Sequence, residues 1–277
     1  MERITETVDI TPAAPPARPI EDPSREIRLG LVLYGGVSLA IYIYGVVYEF
    51  WRLVRASRGE EDNAYSPLLA QADAWATVDI VSGASAGGIN GVLLGKALAT
   101  GADLASVRSL WVEGADFAGL LRNPSEKDPA SILRTDRFDE LLERGLEQMD
   151  RGGTHRELVD VFDLFVPGTR LRPRRRDAID ELGQILKLRE YRKIFHLKFR
   201  KRGYNEADPS LGYDRNDFRP PMNGVLAQVA RATSAFPVAF EPKLIVRDEA
   251  NRMLFEEGDP HSAWFSDGGI LHNKPFT

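Results

Sequence analysis

The chain has 277 residues, a formal net charge of -5, 43% hydrophobic and 28% charged residues, and no cysteine. This balance excludes a wholly disordered or fibrous polypeptide, a disulfide framework, a cysteine nucleophile, thiolate zinc sites and iron–sulfur clusters. The negative charge argues against a polycation seeking nucleic acid, and a chain of this length buries a core without needing a staple.

Residues 1–26 hold Pro12, Pro15, Pro16, Pro19 and Pro23, and lack the basic start and apolar core of a secretory signal. They read as an extended, disordered arm. The remainder, 27–277, shows no internal repeat or boundary and reads as one α/β domain. Leu29 to Tyr48 is uncharged and has the length of a membrane span. Its four glycines and its change of texture instead favour a buried strand, Leu29–Leu33, and a helix from Val37 to Arg55. A second such unit follows: a strand at Val78–Val81, a small-residue turn at Ser82–Gly88, and an apolar helix from Ile89 to Leu98. Two β-turn-α units predict a central, mostly parallel sheet sandwiched by helices.

Helices are expected at 104–117 and 135–148. Val161–Val166 reads as a strand ended by Pro167-Gly168. From Tyr191 to Arg200 apolar and polar residues alternate, with Phe195, Leu197 and Phe199 on one face and His196, Lys198 and Arg200 on the other. Residues 203–223 read as a loop, Gly224–Ala235 as a helix stopped by Pro237, and Ala263–Ser266 as a late strand. Residues 170–202 carry 13 Lys/Arg against four Asp/Glu. That stretch is either a solvated face or a patch for anionic phospholipid head groups. No reading helix or aromatic-interleaved groove points to nucleic acid.

Three motifs carry chemistry. Gly83-Ala84-Ser85-Ala86-Gly87 fits G-x-S-x-G between a predicted strand and helix, the setting of a nucleophile elbow on which Ser85 is lifted out at the strand's end. The following helix points its electropositive N-terminus to the same place. Tyr34-Gly35-Gly36 ends the first strand, and glycine backbone N–H groups there can approach a developing oxyanion. Asp267-Gly268-Gly269 ends the last strand, and a buried Asp267 with a raised pKa could take the proton of Ser85.

Together these motifs resemble the patatin-like phospholipase family, in particular a bacterial patatin-related branch. Further agreement comes from Tyr42 and Gly45-Val46 in the first helix, and from Arg231-Ala232-Thr233-Ser234-Ala235-Phe236-Pro237. The resemblance spans 27–277 and is poor over 120–220. It implies a patatin-type α/β domain and hydrolysis of phospholipid or other fatty-acyl esters by a Ser85–Asp267 dyad. It also implies an oxyanion hole at Gly35 and Gly36, supported by Gly83, Gly87, Gly268 and Gly269, with no metal or cofactor. Val37 and Leu39 stand where the family usually has a third glycine and a basic residue. The chain ends ten residues after Asp267, where family members continue, so a domain shortened at its C-terminus is part of this reading. The expected location is cytoplasmic, with peripheral contact of 170–202 to anionic membrane. Two alternatives stay open: an esterase or thioesterase triad using a histidine such as His272, and a catalytically degenerate lipid-binding protein.

Overall fold

A computed structural model of the protein describes residues 25–36, 39–109, 111, 117–179, 181–201 and 215–275. The expected N-terminal arm up to residue 24, Val37 and Ser38, and the expected loop between 203 and 214 lie outside the described residues.

The first strand–turn–helix unit is β1 (Glu26–Leu33) and α1 (Ala40–Ser57), followed by a short α2 (Tyr65–Ala72). The second is β2 (Trp75–Gly83) and α3 (Ala86–Thr100). The helix expected over 104–117 opens as a 3₁₀ turn, Leu104–Val107, and the four-residue α4 (Phe117–Leu120) closes that region. Next comes α5 (Thr135–Gly152), a helix its sequence dictates: Phe138, Leu142, Gly145, Leu146 and Met149 bury one stripe and charged residues cover the rest. Two long strands, β3 (Val161–Ile179) and β4 (Ile185–Arg200), precede β5 (Arg215–Asn216), α6 (Asn223–Thr233), β6 (Lys243–Val246), β7 (Ser262–Asp267) and a one-turn α7 (Gly269–His272).

The fold is α/β, with helices flanking a central sheet. Strands β1, β2 and β3 pair in parallel, and β4, β5, β6 and β7 extend the sheet by antiparallel pairs. On the core face, α3 lies against β3. Its Gly88, Gly91 and Gly95 meet Val166, Leu164 and Phe162 in turn, so helix and strand pack backbone-close. A Cβ on Gly95 would sit 2.6 Å from the rings of both Phe162 and Phe218. Phe195, Leu197 and Phe199 of β4 are buried, as their alternation predicts, while Arg200 turns inward to reach the Phe162 carbonyl and Asp163.

The strand expected to stop at Pro167-Gly168 continues to Ile179. β4 holds one edge of β3 from Val161 to Thr169. The opposite edge is shared: β2 pairs with Asp163–Phe165, and β7 with Gly168–Arg170. Pro167 falls in the gap between those two partners, a place where a residue without an N–H is tolerated inside a sheet. Past Arg170 the β3–β4 hairpin runs on as a two-stranded ribbon, paired from Arg174/Glu190 to Ile179/Ile185. Because β3 is parallel to β2 and overruns it, the ribbon leaves the sheet at the end where Ser85 stands.

Candidate active site

β2 and β7 occupy the same edge of β3 but run in opposite directions, so their C-terminal ends converge. Ser82 is β2's last residue paired to β3, opposite Phe165, and Asp267 is β7's, opposite Gly168. Three residues of extended β3, about 10 Å, separate the two positions. Residues 83–85 turn out of β2 into this gap. Ser85 Oγ then donates to Asp267 Oδ2 at 2.6 Å.

The turn is a strained elbow. Ser85 has φ 53° and ψ -123°, a left-handed conformation costly for a residue with a Cβ. Gly83 and Gly87 make the turn possible: a Cβ on Gly83 would strike the Gly87 backbone, and one on Gly87 would strike the Leu33 and Tyr34 carbonyls. Ala84 N–H closes onto the Leu33 carbonyl at 3.1 Å, binding the elbow to β1. Asn90, one turn into α3, spans the Ala40 and Ala86 carbonyls with its side-chain N–H₂, each at 3.0 Å.

Asp267 is 1% exposed. Its Oδ1 accepts the Gly269 N–H at 2.6 Å and its Oδ2 the Ser85 hydroxyl. Burial pushes its carboxyl above the ordinary aspartate range, and the hydrogen bonds from Ser85 and Gly269 offset only part of that rise. Gly268 is compelled by the Pro167 carbonyl, which a Cβ there would strike. Gly35 lies against Ser85: a Cβ on it would sit 3.1 Å from Ser85 Cβ and collide with Asn273 Oδ1. Among the described residues, neither Gly35 nor Gly36 N–H has a protein acceptor, while the Gly36 carbonyl accepts Leu39 N–H. The glycine pair, the serine and the aspartate are thus brought together. Val37 lies outside the described residues, and Leu39 is 46% exposed at the start of α1.

Two participants escaped the sequence reading. Thr233, fully buried at the end of α6, accepts the Ser85 N–H on its Oγ1 at 3.0 Å and the Gly268 N–H on its carbonyl at 3.1 Å. One residue therefore ties the Ser85 elbow to the turn that follows Asp267. Next to it, the Ala235 carbonyl accepts Asp267 N–H and the Ser266 hydroxyl. The Arg231–Pro237 segment had signalled its presence by resemblance, but nothing local in it marked Thr233 as the link. The second is Asn273, whose Oδ1 and the Asp267 Oδ1 each lie 2.9 Å from where a Gly269 Cβ would be, on the mouth of the site.

His272 lies on α7, where its N–H donates to the Gly268 carbonyl at 2.9 Å. His196 packs on Phe165 and bonds Asp163 at 2.7 Å through Nε2. Burial raises the Asp163 pKa, but hydrogen bonds from His196 and Arg200 outweigh it and hold the carboxyl below the usual range. Among the described residues no histidine bonds Ser85 or Asp267, no group of three His, Asp or Glu residues could hold a metal, and no helix is long and apolar enough to cross a membrane.

The patatin-like phospholipase family model matches residues 31–277. An uncharacterized membrane protein of Mycobacterium tuberculosis is 30% identical over 294 residues, covering 93% of this chain and 26% of that relative. The chain thus spans about a quarter of the relative's length. It belongs to the patatin-like phospholipase family.

Proposed function

We propose that this patatin-like chain is a serine acyl hydrolase that cleaves phospholipids or related fatty-acyl esters with a Ser85–Asp267 dyad. The observation that carries the reading is the 2.6 Å bond from Ser85 Oγ to a carboxylate that is 1% exposed, at a left-handed elbow. Asp267 takes the Ser85 proton as Oγ bonds to the ester carbonyl carbon. The carbonyl oxygen becomes negative and is received by the N–H groups of Gly35 and Gly36. Collapse breaks the bond to the leaving alcohol, which departs with the proton from Asp267. Asp267 then takes a proton from water, whose oxygen attacks the acyl carbon. The Ser85–acyl bond breaks, Ser85 regains its proton, and the fatty acid is released. The raised pKa supports this reading, because a desolvated carboxylate is a stronger base than one in water.

The ribbon supports a lipid surface as the partner. Part of the basic stretch is spent internally: Arg170 and Lys193 pair with buried Asp259, Arg174 with Glu256, Arg200 with Asp163 and Lys201 with Asp160. Arg172, Arg175, Arg176, Lys187, Arg189 and Arg192 are exposed and make no ion pair among the described residues. Arg175 directly opposes Arg189, an unfavourable cross-strand pair that an anionic head group would relieve.

The test is fatty-acid release from mixed anionic phospholipid vesicles by wild type and Ser85→Ala. Release that disappears in the variant is the expected result. Equal release from both would remove Ser85 from the chemistry, and absence from both would favour the degenerate lipid-binding reading.

A further inference from the structure

The segment that follows Asp267 folds back against the glycine turn. After the one-turn α7, Asn273 keeps helical dihedrals, φ -73° and ψ -21°, and its side chain comes to rest between two glycines. Its Oδ1 overlaps the place a Cβ would take on Gly35, and lies 2.9 Å from the place a Cβ would take on Gly269. Ser85 Cβ is 3.1 Å from the first of those points, and Asp267 Oδ1 is 2.9 Å from the second. The Asn273 amide therefore stands beside the serine on the Gly35 side and beside the carboxyl on the Gly269 side. Lys274 holds the segment there. Its Nζ is 5.8 Å from the centre of the Tyr34 ring, within reach of a cation–π contact, and Tyr34 directly precedes Gly35.

Most polar groups in this corner are already engaged. Asp267 accepts the Ser85 hydroxyl and the Gly269 N–H, and Thr233 accepts the Ser85 and Gly268 N–H groups. Asn273 differs. It is exposed, and among the described residues its side chain makes no hydrogen bond, although an amide offers two N–H donors and an acceptor. An asparagine that only braced the two turns would bond their backbone, whereas this one touches both and bonds neither. A half-turn about its last torsion exchanges Oδ1 and Nδ2, so the donor can face Gly35 as readily as the acceptor. An uncharged donor also suits a seat beside Asp267, where a cation would draw the carboxyl pKa down and weaken the base.

We propose that the Asn273 side-chain amide is a further oxyanion donor, its Nδ2–H joining the Gly35 and Gly36 N–H groups on the ester carbonyl oxygen as Ser85 adds to the carbonyl carbon. The bond strengthens as that oxygen becomes negative, so it lowers the barrier more than it tightens substrate binding. Asn273 keeps its protons throughout. The proposal rests on the acyl-hydrolase reading above, and its test separates the two. Asn273→Leu keeps the size of the side chain and removes the donor; Asn273→Ala removes the amide altogether. With p-nitrophenyl butyrate, kcat falls about a hundredfold in both variants while KM stays within about threefold. The inhibition constant of a trifluoromethyl ketone, whose adduct with Ser85 carries the same oxyanion, rises in step with the fall in kcat/KM. A kcat within about threefold of wild type in either variant, or a loss carried by KM with the inhibition constant unchanged, overturns the assignment. The second arm is labelling of Ser85 by a fluorophosphonate, followed by mass spectrometry with Ser85→Ala as the blank. There Ser85 Oγ bonds to phosphorus, fluoride leaves, Asp267 takes the proton, and the phosphoryl oxygen occupies the oxyanion site. Labelling is at least about tenfold slower in Asn273→Leu than in wild type. Equal rates overturn the assignment of Asn273. Absence of ester turnover with the labelling contrast intact overturns the acyl-hydrolase reading alone, and absence of labelling in wild type overturns both.

Discussion

Thr233→Val tests whether the buried tie between α6 and the elbow is what holds Ser85 ready. The substitution keeps the shape and the methyl group that lies over Gly88. It removes the Oγ1 that accepts Ser85 N–H at 3.0 Å. The site is closed to water there, since Thr233 is fully buried and Ser85 is 7% exposed. A buried N–H left without an acceptor costs about 1–3 kcal/mol. The extra buried methyl returns less than about 1 kcal/mol, leaving a net loss of about 1–2 kcal/mol. For a domain of this size that is roughly 2–8 °C in Tm. The elbow conformation is itself strained, so the same loss lets Ser85 relax from the geometry in which it bonds Asp267. The expected kinetic signature is a fall of about tenfold in kcat for a short ester with KM changed little, because positioning rather than binding is lost. Calorimetry and steady-state kinetics on wild type, Thr233→Val and Thr233→Ser provide the assay. Thr233→Ser retains the acceptor and should recover most of kcat. Equal kcat in Thr233→Val and wild type would refute the tie, as would a Ser variant as slow as the Val variant.

Two further predictions follow from the charges. Asp267 has a folded-state pKa raised by burial, so folding penalises its ionised form. Its contribution to stability is most favourable below the unfolded value of about 3.9 and is lost as pH rises through the folded pKa. Asp267→Asn therefore gains stability over wild type in urea titrations between pH 4 and pH 7, while ester turnover falls by about a thousandfold or more. A gain that shrinks with rising pH would contradict a desolvated carboxylate. On the ribbon, replacing Arg175, Arg176, Lys187 and Arg189 by Gln removes about 4 kcal/mol of attraction to an anionic surface at about 1 kcal/mol each. Sedimentation with anionic vesicles should drop by roughly a thousandfold in affinity at low salt, and sedimentation with neutral vesicles should not change. Equal losses on both would mean that the ribbon does not read charge.

The parts of the site that were legible in the sequence are those whose constraint is local. A helix separated from a strand by only two residues leaves no room for Cβ atoms at Gly83 and Gly87, so the glycines announce the elbow. The same holds for the Asp267 turn, where Gly268 is forced by the Pro167 carbonyl. The first and second strand–turn–helix units, α5 and β7 were read from periodicity within a residue or a few of their observed ends. The run from Leu29 to Tyr48, long enough for a membrane, resolved into β1 and α1 because its apolarity serves two elements rather than one.

What could not be read was set by partners far away in the chain. Pro167-Gly168 reads locally as a stop, and β3 passes through it only because two other strands leave a gap there. The density of arginine at 170–176 gave no hint that Arg170 and Arg174 would be drawn to Asp259 and Glu256 while their neighbours stayed free. Thr233 lies 148 residues from the serine it supports. The decisive fact is similar in kind. Neither Gly-x-Ser-x-Gly nor Asp-Gly-Gly contains any information about the other. Each merely ends a strand. What makes them one site is that β3 accepts β2 in parallel and β7 in antiparallel along a single edge, so that two strand ends must meet over it. The sheet alone thus brings the Ser85 hydroxyl within 2.6 Å of the Asp267 carboxyl. The overrun of β3 beyond that meeting point then places the basic ribbon on the same side as Ser85. One strand, by its length and its pairing, thus sets both where Ser85 meets Asp267 and which end of the sheet carries the basic ribbon.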